Sequence, residues 1–431
     1  MDELLSVKEI LKNNHLFLTG GGGVGKSYLT SKIIEDYKKE NKQVIILGST
    51  GISAVNIGGQ TIHSFFAFGI CKDSEELLRH DRYSKQRLKE LNKILTDTDL
   101  LIIDEISMVS AHMMEMIRYR LNGAAYKGSL LFVGDFFQLP PINKTDDFSL
   151  FADEIYAFES SAWKNYNPVM VELKTSKRTD DKHFFEILKK IRVGGVESET
   201  LNFLDNLRTN KSVYEKNPTI LFGRNAEADR MNQLRLNEIK SELYRLNAKE
   251  TLHDKSLHVK RLESWHKMLN VPKELELKIG AHVIFCTNKW GKYYNGEQGV
   301  VKDIGDDYVL VLKNDSLVKV ERHEFTFSES VFEGGETKNK PLASLFQYPL
   351  KLSYAITIHK SQGMSIENLV CDIHNIFETS QFYVAISRAK SAKGLCLEYN
   401  RANFEAHVRR CVLVNNKVKE FYKNAKMESF D

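Results

Sequence analysis

Short continuous apolar runs alternate with amphipathic stretches through the first third of the chain. HLFLTG from residue 15, QVIILGS at 43–49, DLLIIDE at 99–105 and SLLFVGD at 129–135 place apolar residues at successive positions. A strand that is apolar on both faces is buried on both faces, as in parallel sheets covered by helices. After the first run, VGKSYLTSKIIEDYKKEN brings Leu29, Ile33, Ile34 and Tyr37 round at helical spacing. The pattern predicts a parallel α/β domain over the first third. The charged segment 71–95, CKDSEELLRHDRYSKQRLKELNKIL, predicts a small helical surface insertion between two core strands.

The same rhythm returns after RTDDKHFFEILKKIRVGG, where a helix is followed by the strand PTILFG at 218–223 and a helix from RNAEADRMNQL. A second α/β unit begins there. From about Leu275 the period shortens to two: LKIGAHVIFCTN, EQGVVKDI, DYVLVLK and LVKVERHEF are joined by the turns YNGE and KNDS, which predicts a small β-barrel insertion. PLKLSYAITIHKSQG, NLVCDI and TSQFYVAISRAKSAKGLCLEYN then restore the α/β pattern. No internal repeat or low-complexity tract is evident.

Composition removes several classes. At ~150 residues per domain, 431 residues correspond to about three domains, and 42% hydrophobic against 27% charged residues describes an ordered globular chain. The sequence has no apolar run of membrane-spanning length, and the N-terminal MDELLSV carries acids where a signal peptide carries lysines. The expectation is a cytoplasmic protein without a membrane partner. Five cysteines without ligand spacing predict neither a disulfide framework nor structural zinc. The net charge of +4 is compatible with a polyanionic partner and decides nothing alone.

The chemistry starts at Gly20-Gly21-Gly22-Gly23-Val24-Gly25-Lys26-Ser27, a GxxxxGK[ST] string lying between a predicted strand and a predicted helix. Backbone N–H groups there cradle phosphates, Lys26 reaches the terminal phosphates, and Ser27 can ligate magnesium; Tyr28 adjoins the same turn. LLIIDE delivers Asp104 and Glu105 at the carboxyl end of a strand, where one acid can hold Mg²⁺ and the other orient a water. These motifs point to ATP and Mg²⁺ but fit many nucleotide hydrolases. The nearest approach to a guanine-reading NKxD element, Asn288-Lys289-Trp290-Gly291, has glycine in the acid's place, which disfavours a GTPase. Gln138 in VGDFFQLPP follows a core strand and can sense a terminal phosphate; Arg178 and Arg388, in the second α/β unit, can stabilise a transferring phosphoryl group. GGQTIHSFFAFG supplies Thr61, His63, Phe65 and Phe66, and TIHKSQGMS supplies Thr357, His359, Lys360 and Ser361. Such a mixture suits phosphate contacts and base stacking along a single strand, although each phenylalanine also fits a core position.

Taken in order, LTGGGGVGKS, STGISAVNIGGQTIHSFF, LLIIDEISMVS, LLFVGDFFQLPP, SKRTDDKHFFEILKKIRVGG, PTILFGRNAEADRMN, YAITIHKSQGMS and QFYVAISRAK resemble the successive motifs of superfamily 1B helicases. The PIF type, named for petite integration frequency, is the nearest likeness, with RecD-like and Dda-type helicases as relatives, and it spans nearly the whole chain. The resemblance implies an α/β architecture of two RecA-like P-loop lobes clamping ATP, with an SH3-like β-barrel in the second lobe and a small strand-separating wedge in the first. The implied boundaries are 1–175 for the first lobe with its wedge at 66–95, 176–240 and 347–431 for the second lobe, and 241–346 for the barrel. It further implies movement 5′ to 3′ on single-stranded DNA and opening of tailed duplexes, in replication, repair or recombination; nothing in the sequence demands more than a monomer. Lys26, Asp104, Glu105, Gln138, Arg178 and Arg388 would carry hydrolysis, Ser27 and Asp104 would hold Mg²⁺, and Gly363 would join the nucleotide site. Thr61, His63, Phe65, Thr357, His359 and Lys360 would meet DNA.

Two departures stand out. LLSVKEILKNNH has no Gln upstream of the P-loop where the family reads the adenine edge, so these residues do not dictate strict ATP preference. Thr179 follows Arg178 where the family commonly has Gln, which makes Arg388 the firmer arginine finger. Two other functions fit the same residues: a DNA-stimulated translocase or remodelling ATPase without processive unwinding, and a P-loop ATPase whose barrel recruits a protein.

Overall fold

The computed structural model describes residues 3–49, 59–68, 74–82, 85–141, 155–269, 271–289, 291–333, 336–376 and 378–430. Segment 50–58 of the STGISAVNIGG motif, wedge residues 69–73 and 83–84, and Trp290 of NKWG lie outside that set. The described residues form two compact units, the first from 1–177, 328–341 and 416–431, the second from 178–327 and 342–415.

The first unit is built on a seven-stranded parallel sheet. Its early strands are β1 (Leu16–Thr19), β2 (Val44–Gly48), β3 (Gln60–Thr61), β4 (Leu100–Asp104), β5 (Ser129–Val133) and β6 (Val169–Leu173). In space the order is β6-β1-β5-β4-β2-β3. Phe17 of β1 lies opposite Phe132 of β5 and Met170 of β6, and Gly48 of β2 lies opposite Asp104 of β4. Leu16, Phe17 and Leu18 and the run Leu100–Ile103 are all inaccessible to solvent, the burial that the unbroken apolar runs anticipate. The P-loop helix (Lys26–Lys39) buries Leu29, Ile33 and Tyr37.

The seventh strand corrects the expected boundaries. The expected second lobe includes 347–431, yet the strand Met427–Phe430 runs parallel to β6, pairing Met427 with Met170 and Phe430 with Leu173. The preceding helix, Asn416–Asn424, places Phe421 against Phe158 at 4.3 Å between ring centroids and near Phe136 at 5.5 Å. The last segment is therefore part of the first unit, drawn there by an open sheet edge and an aromatic cluster.

The segment expected to form the wedge, 66–95, contains the helix Ser74–Asp81 and most of the helix Lys85–Asp97. Arg120, only 3% exposed, makes a two-pronged pair with Asp81 at 2.6 and 2.7 Å and donates from Nε to the carbonyl of Phe66. Arg87 pairs with Glu329 at 2.7 Å.

In the second unit a four-stranded parallel sheet runs in the order Ala355–Thr357, Thr219–Phe222, Leu369–Asp372, Leu395–Glu398. A five-stranded antiparallel sheet runs in the order Ser316–Val320, Val309–Lys313, Gln298–Ile304, His282–Phe285, Leu350–Leu352, so it takes an edge strand from beyond the expected end of the insertion at 346. Val283, Val301, Val309, Val311 and Val320 fill its interior with Phe285 and Tyr348, so the alternating pattern places one face of each strand inward.

Candidate active site and nucleic-acid interface

β1, β4 and β5 are parallel neighbours, so the residues that follow them emerge at one edge of the sheet, the edge where parallel α/β folds place ligands. That edge carries Gly20–Ser27, Asp104, Glu105 and Gln138. Gly20 has φ +138°, and a Cβ there would lie 2.4 Å from the carbonyl oxygen of Leu173, so only glycine fits where the loop leaves β1. Gly25, at φ +95°, occupies the N-cap of the P-loop helix and leaves the first N–H groups without a side-chain cap. A helix start without a side-chain cap can present its N–H groups to a phosphate. Lys177 N–H holds the loop by donating to the carbonyl of Gly23 at 2.8 Å. The Lys26 ammonium donates to the carbonyls of Gly20 at 2.7 Å and Gly21 at 3.0 Å. Val24 is buried, Ser27 is exposed, and Tyr28 is 69% exposed with Lys32 over its ring.

Asp104 ends β4, and its pKa is pushed up to about 7, chiefly by burial and then by the like charge of Glu105; Lys26 acts in the opposite direction. Glu105 adopts φ +51°, a left-handed conformation in a non-glycine residue, the kind of local strain that clusters at functional sites. Two adjacent carboxylates and a serine hydroxyl are hard oxygen donors, which suits Mg²⁺ shared with phosphate oxygens. Among the described residues no cluster of three His, Cys, Asp or Glu forms a metal cage by itself.

Gln138 is 5% exposed, and its N–H donates to the carbonyl of Asp135 at 2.8 Å, closing a tight turn after β5. Tyr422 of the returning helix reaches this turn: its hydroxyl accepts from Phe136 N–H at 3.2 Å and lies 2.7 Å from Thr19 Oγ1. No sequence motif marks Tyr422, and the lobe boundary expected from the sequence separates it from this edge of the sheet.

The second unit brings Arg178 and Arg388 together around Ser387. Arg178 donates to the Ser387 carbonyl at 2.5 Å; Arg388, 2% exposed, donates to the Val384 carbonyl at 3.0 Å and Ser387 Oγ at 2.9 Å. Burial, and then the like charge of Arg388, push the pKa of Arg178 down to about 9. Thr179 Oγ1 accepts from Asp181 N–H at 3.1 Å, so the residue in the family's Gln position serves the following turn.

Thr61 is the N-cap of the short helix Ile62–Phe65, accepting from Ser64 N–H at 3.2 Å. His63 is exposed but packs edge-on to Phe68 at 6.1 Å, and partial desolvation of its ring by the surrounding residues lowers its pKa. Phe65 corrects an expectation: it is 0% exposed and lies edge-on to Phe66 at 5.0 Å. A fully enclosed ring offers no face to a base, and Phe65 is a core residue here. Thr357, 3% exposed, ends its strand and accepts from Lys360 N–H at 3.4 Å. His359 Nε2 lies 3.6 Å from Glu378, Lys360 is exposed, and Gly363 sits at φ +74° with open space where a Cβ would be.

A family model described as PIF1-like helicase matches residues 2–202. The ATP-dependent DNA helicase Pif1 of Campylobacter jejuni is 42% identical over 429 residues, covering 97% of this chain and 96% of that protein. The crystal structure of Bacteroides sp Pif1 in complex with ADP-AlF4 matches with a TM-score of 0.84 at 26% identity, covering 98% of this chain and 96% of the other. Bacteroides Pif1 bound to ssDNA matches with a TM-score of 0.65 at 26% identity and the same coverage.

Proposed function

The chain belongs to the PIF1-like helicase family and is an ATP-dependent DNA helicase; from that footing we propose that it translocates 5′ to 3′ on single-stranded DNA and separates duplexes bearing a 5′ single-stranded tail. The observation that carries the chemistry is the gathering of the P-loop, Asp104, Glu105 and Gln138 at one edge of the first sheet. In this reading the P-loop N–H groups bind the phosphates, and the Lys26 ammonium leaves the carbonyls of Gly20 and Gly21 for the terminal phosphate oxygens. Glu105 orients and deprotonates the attacking water, and Gln138 hydrogen-bonds the transferring phosphoryl group. Ser27 and Asp104 would hold Mg²⁺, which when bound neutralises charge on the β- and γ-phosphates. Arg178 and Arg388 balance the charge that develops as the bond to the leaving phosphate breaks. Tyr28 and Gly363 border the nucleotide.

Thr61, His63, His359 and Lys360 contact the strand, and buried Thr357 holds the turn that carries the last two. Directional movement requires the grip of these groups to differ between nucleotide states, since a ligand bound equally in both shifts nothing. The wedge helices meet the junction, where each base-pair step resists at ~1.4 kcal/mol. We assign the work to a monomer in the cytoplasm, on nucleoid DNA, in replication, repair or recombination.

The deciding experiment measures ATP hydrolysis without nucleic acid, with single-stranded DNA and with matched RNA, then unwinding of duplexes carrying a 5′ tail, a 3′ tail or none. The proposal expects strong DNA stimulation and unwinding confined to the 5′-tailed duplex. Unwinding from a 3′ tail would refute the polarity. Stimulation without any unwinding would leave a translocase.

A further inference from the structure

We propose that Tyr422 is a positioning residue for ATP hydrolysis: its hydroxyl ties the last residue of β1 to the loop carrying Gln138 and so fixes the phosphate sensor relative to the P-loop. The inference rests on the reading that Gln138 acts at the terminal phosphate.

Thr19 is the final residue of β1 and directly precedes Gly20; like Asp135, it is 0% exposed. The Tyr422 hydroxyl lies 2.7 Å from Thr19 Oγ1, accepts from Phe136 N–H at 3.2 Å and donates toward Asp135 Oδ1 at 3.5 Å. With Thr19 donating to it, the hydroxyl uses two lone pairs and one proton, the full capacity of a phenol. Asp135 in turn accepts from Phe137 N–H at 3.2 Å, and its carbonyl accepts from Gln138 N–H at 2.8 Å. One hydroxyl is thus two bonded steps from the backbone of the sensor and one from the residue that launches the phosphate loop.

The ring is held independently of the hydroxyl. It stacks on Phe137 at 4.6 Å and 21°, while neighbouring Phe421 sits in the aromatic cluster and Lys417 pairs with Glu159 at 2.7 Å. Packing alone would accept phenylalanine at 422. The hydroxyl adds an acceptor for a buried backbone N–H of the sensor loop, and losing that acceptor leaves the loop free to shift. Displacement of a catalytic group by a fraction of an ångström lowers turnover without changing ground-state affinity.

The test compares Tyr422→Phe, Gln138→Ala and the double variant in the full chain at saturating single-stranded DNA. It reads kcat and KM for ATP, affinity for ADP, affinity for ADP with aluminium fluoride, and thermal unfolding. Tyr422→Phe is expected to lower kcat about tenfold and to weaken the aluminium fluoride complex to a similar degree. ADP affinity and KM should stay within about twofold of the parent, and the double variant should be no slower than Gln138→Ala. Thr19→Val removes the partner of the same bond and should reproduce the kcat loss, which decides the matter should Tyr422→Phe unfold. Unchanged kcat in Tyr422→Phe while Gln138→Ala is slow overturns the role of Tyr422 alone. Losses that multiply in the double variant, or ADP affinity falling together with kcat, overturn it as well. Parental turnover in Gln138→Ala overturns the sensor reading beneath it.

Discussion

Lys26 sits on the carbonyls of the loop it serves, so its charge is already placed beside the phosphate cradle. Lys26→Ala is expected to lower ATP hydrolysis by more than about 100-fold, the scale for loss of a positioned charge at a reacting centre, while far-UV circular dichroism stays unchanged. His359 and Lys360 sit just beyond the end of a strand in the other unit. Replacing both with alanine should lower DNA-stimulated turnover severalfold more than basal turnover, and steady-state rates with and without DNA measure the difference. Equal loss of both rates would remove these residues from the DNA path. At this scale the placing of Gly20–Ser27 and of Asp104 and Glu105 at the ends of strands was legible, because an unbroken apolar run that stops at glycines or acids marks where a strand ends. Phe65 was not, since an aromatic beside a nucleic-acid motif fits a stacking face and a core position equally well in one dimension. Its 0% exposure separates the two.

Among elements, the parallel strands were readable because burial on both faces demands unbroken apolar runs, and the antiparallel strands from 282 to 320 because a half-buried strand alternates. The wedge helices were readable as helices, but not by what holds them. Arg120 lies in the helix Ala111–Gly123 and Asp81 ends a wedge helix thirty-nine positions earlier, a pairing that no local pattern encodes. Asp81→Asn leaves the Arg120 charge buried with its main counter-charge gone, and such breakage costs about 3–5 kcal/mol. Urea unfolding should register that loss, and unwinding should weaken more than ATP hydrolysis if the wedge acts at the junction. The return of Met427–Phe430 to β6 was hidden for the same reason. A four-residue strand carries too little information to choose between two parallel sheets, and its partner lies far back in the chain.

For the molecule as a whole, residues 416–431 decide how the first unit is completed. A chain ending at residue 415 loses the seventh strand and removes Phe421 from the cluster with Phe158, Phe136 and Trp163. Loss of one such aromatic side chain costs about 3–5 kcal/mol. The truncated protein is therefore expected to unfold at lower temperature and to hydrolyse ATP poorly, with calorimetry and steady-state rates as the checks.

The position of that last strand also bears on synthesis. β6 ends at Leu173 and its outer neighbour starts at Met427, so roughly 250 residues leave the ribosome between them, on the order of 10–50 s at ordinary elongation rates. Through that interval β6 presents a row of unpaired N–H and C=O groups, an edge on which other chains can template. Until Met427–Phe430 emerges and pairs with β6, the nascent sheet therefore carries an open edge that other strands can join.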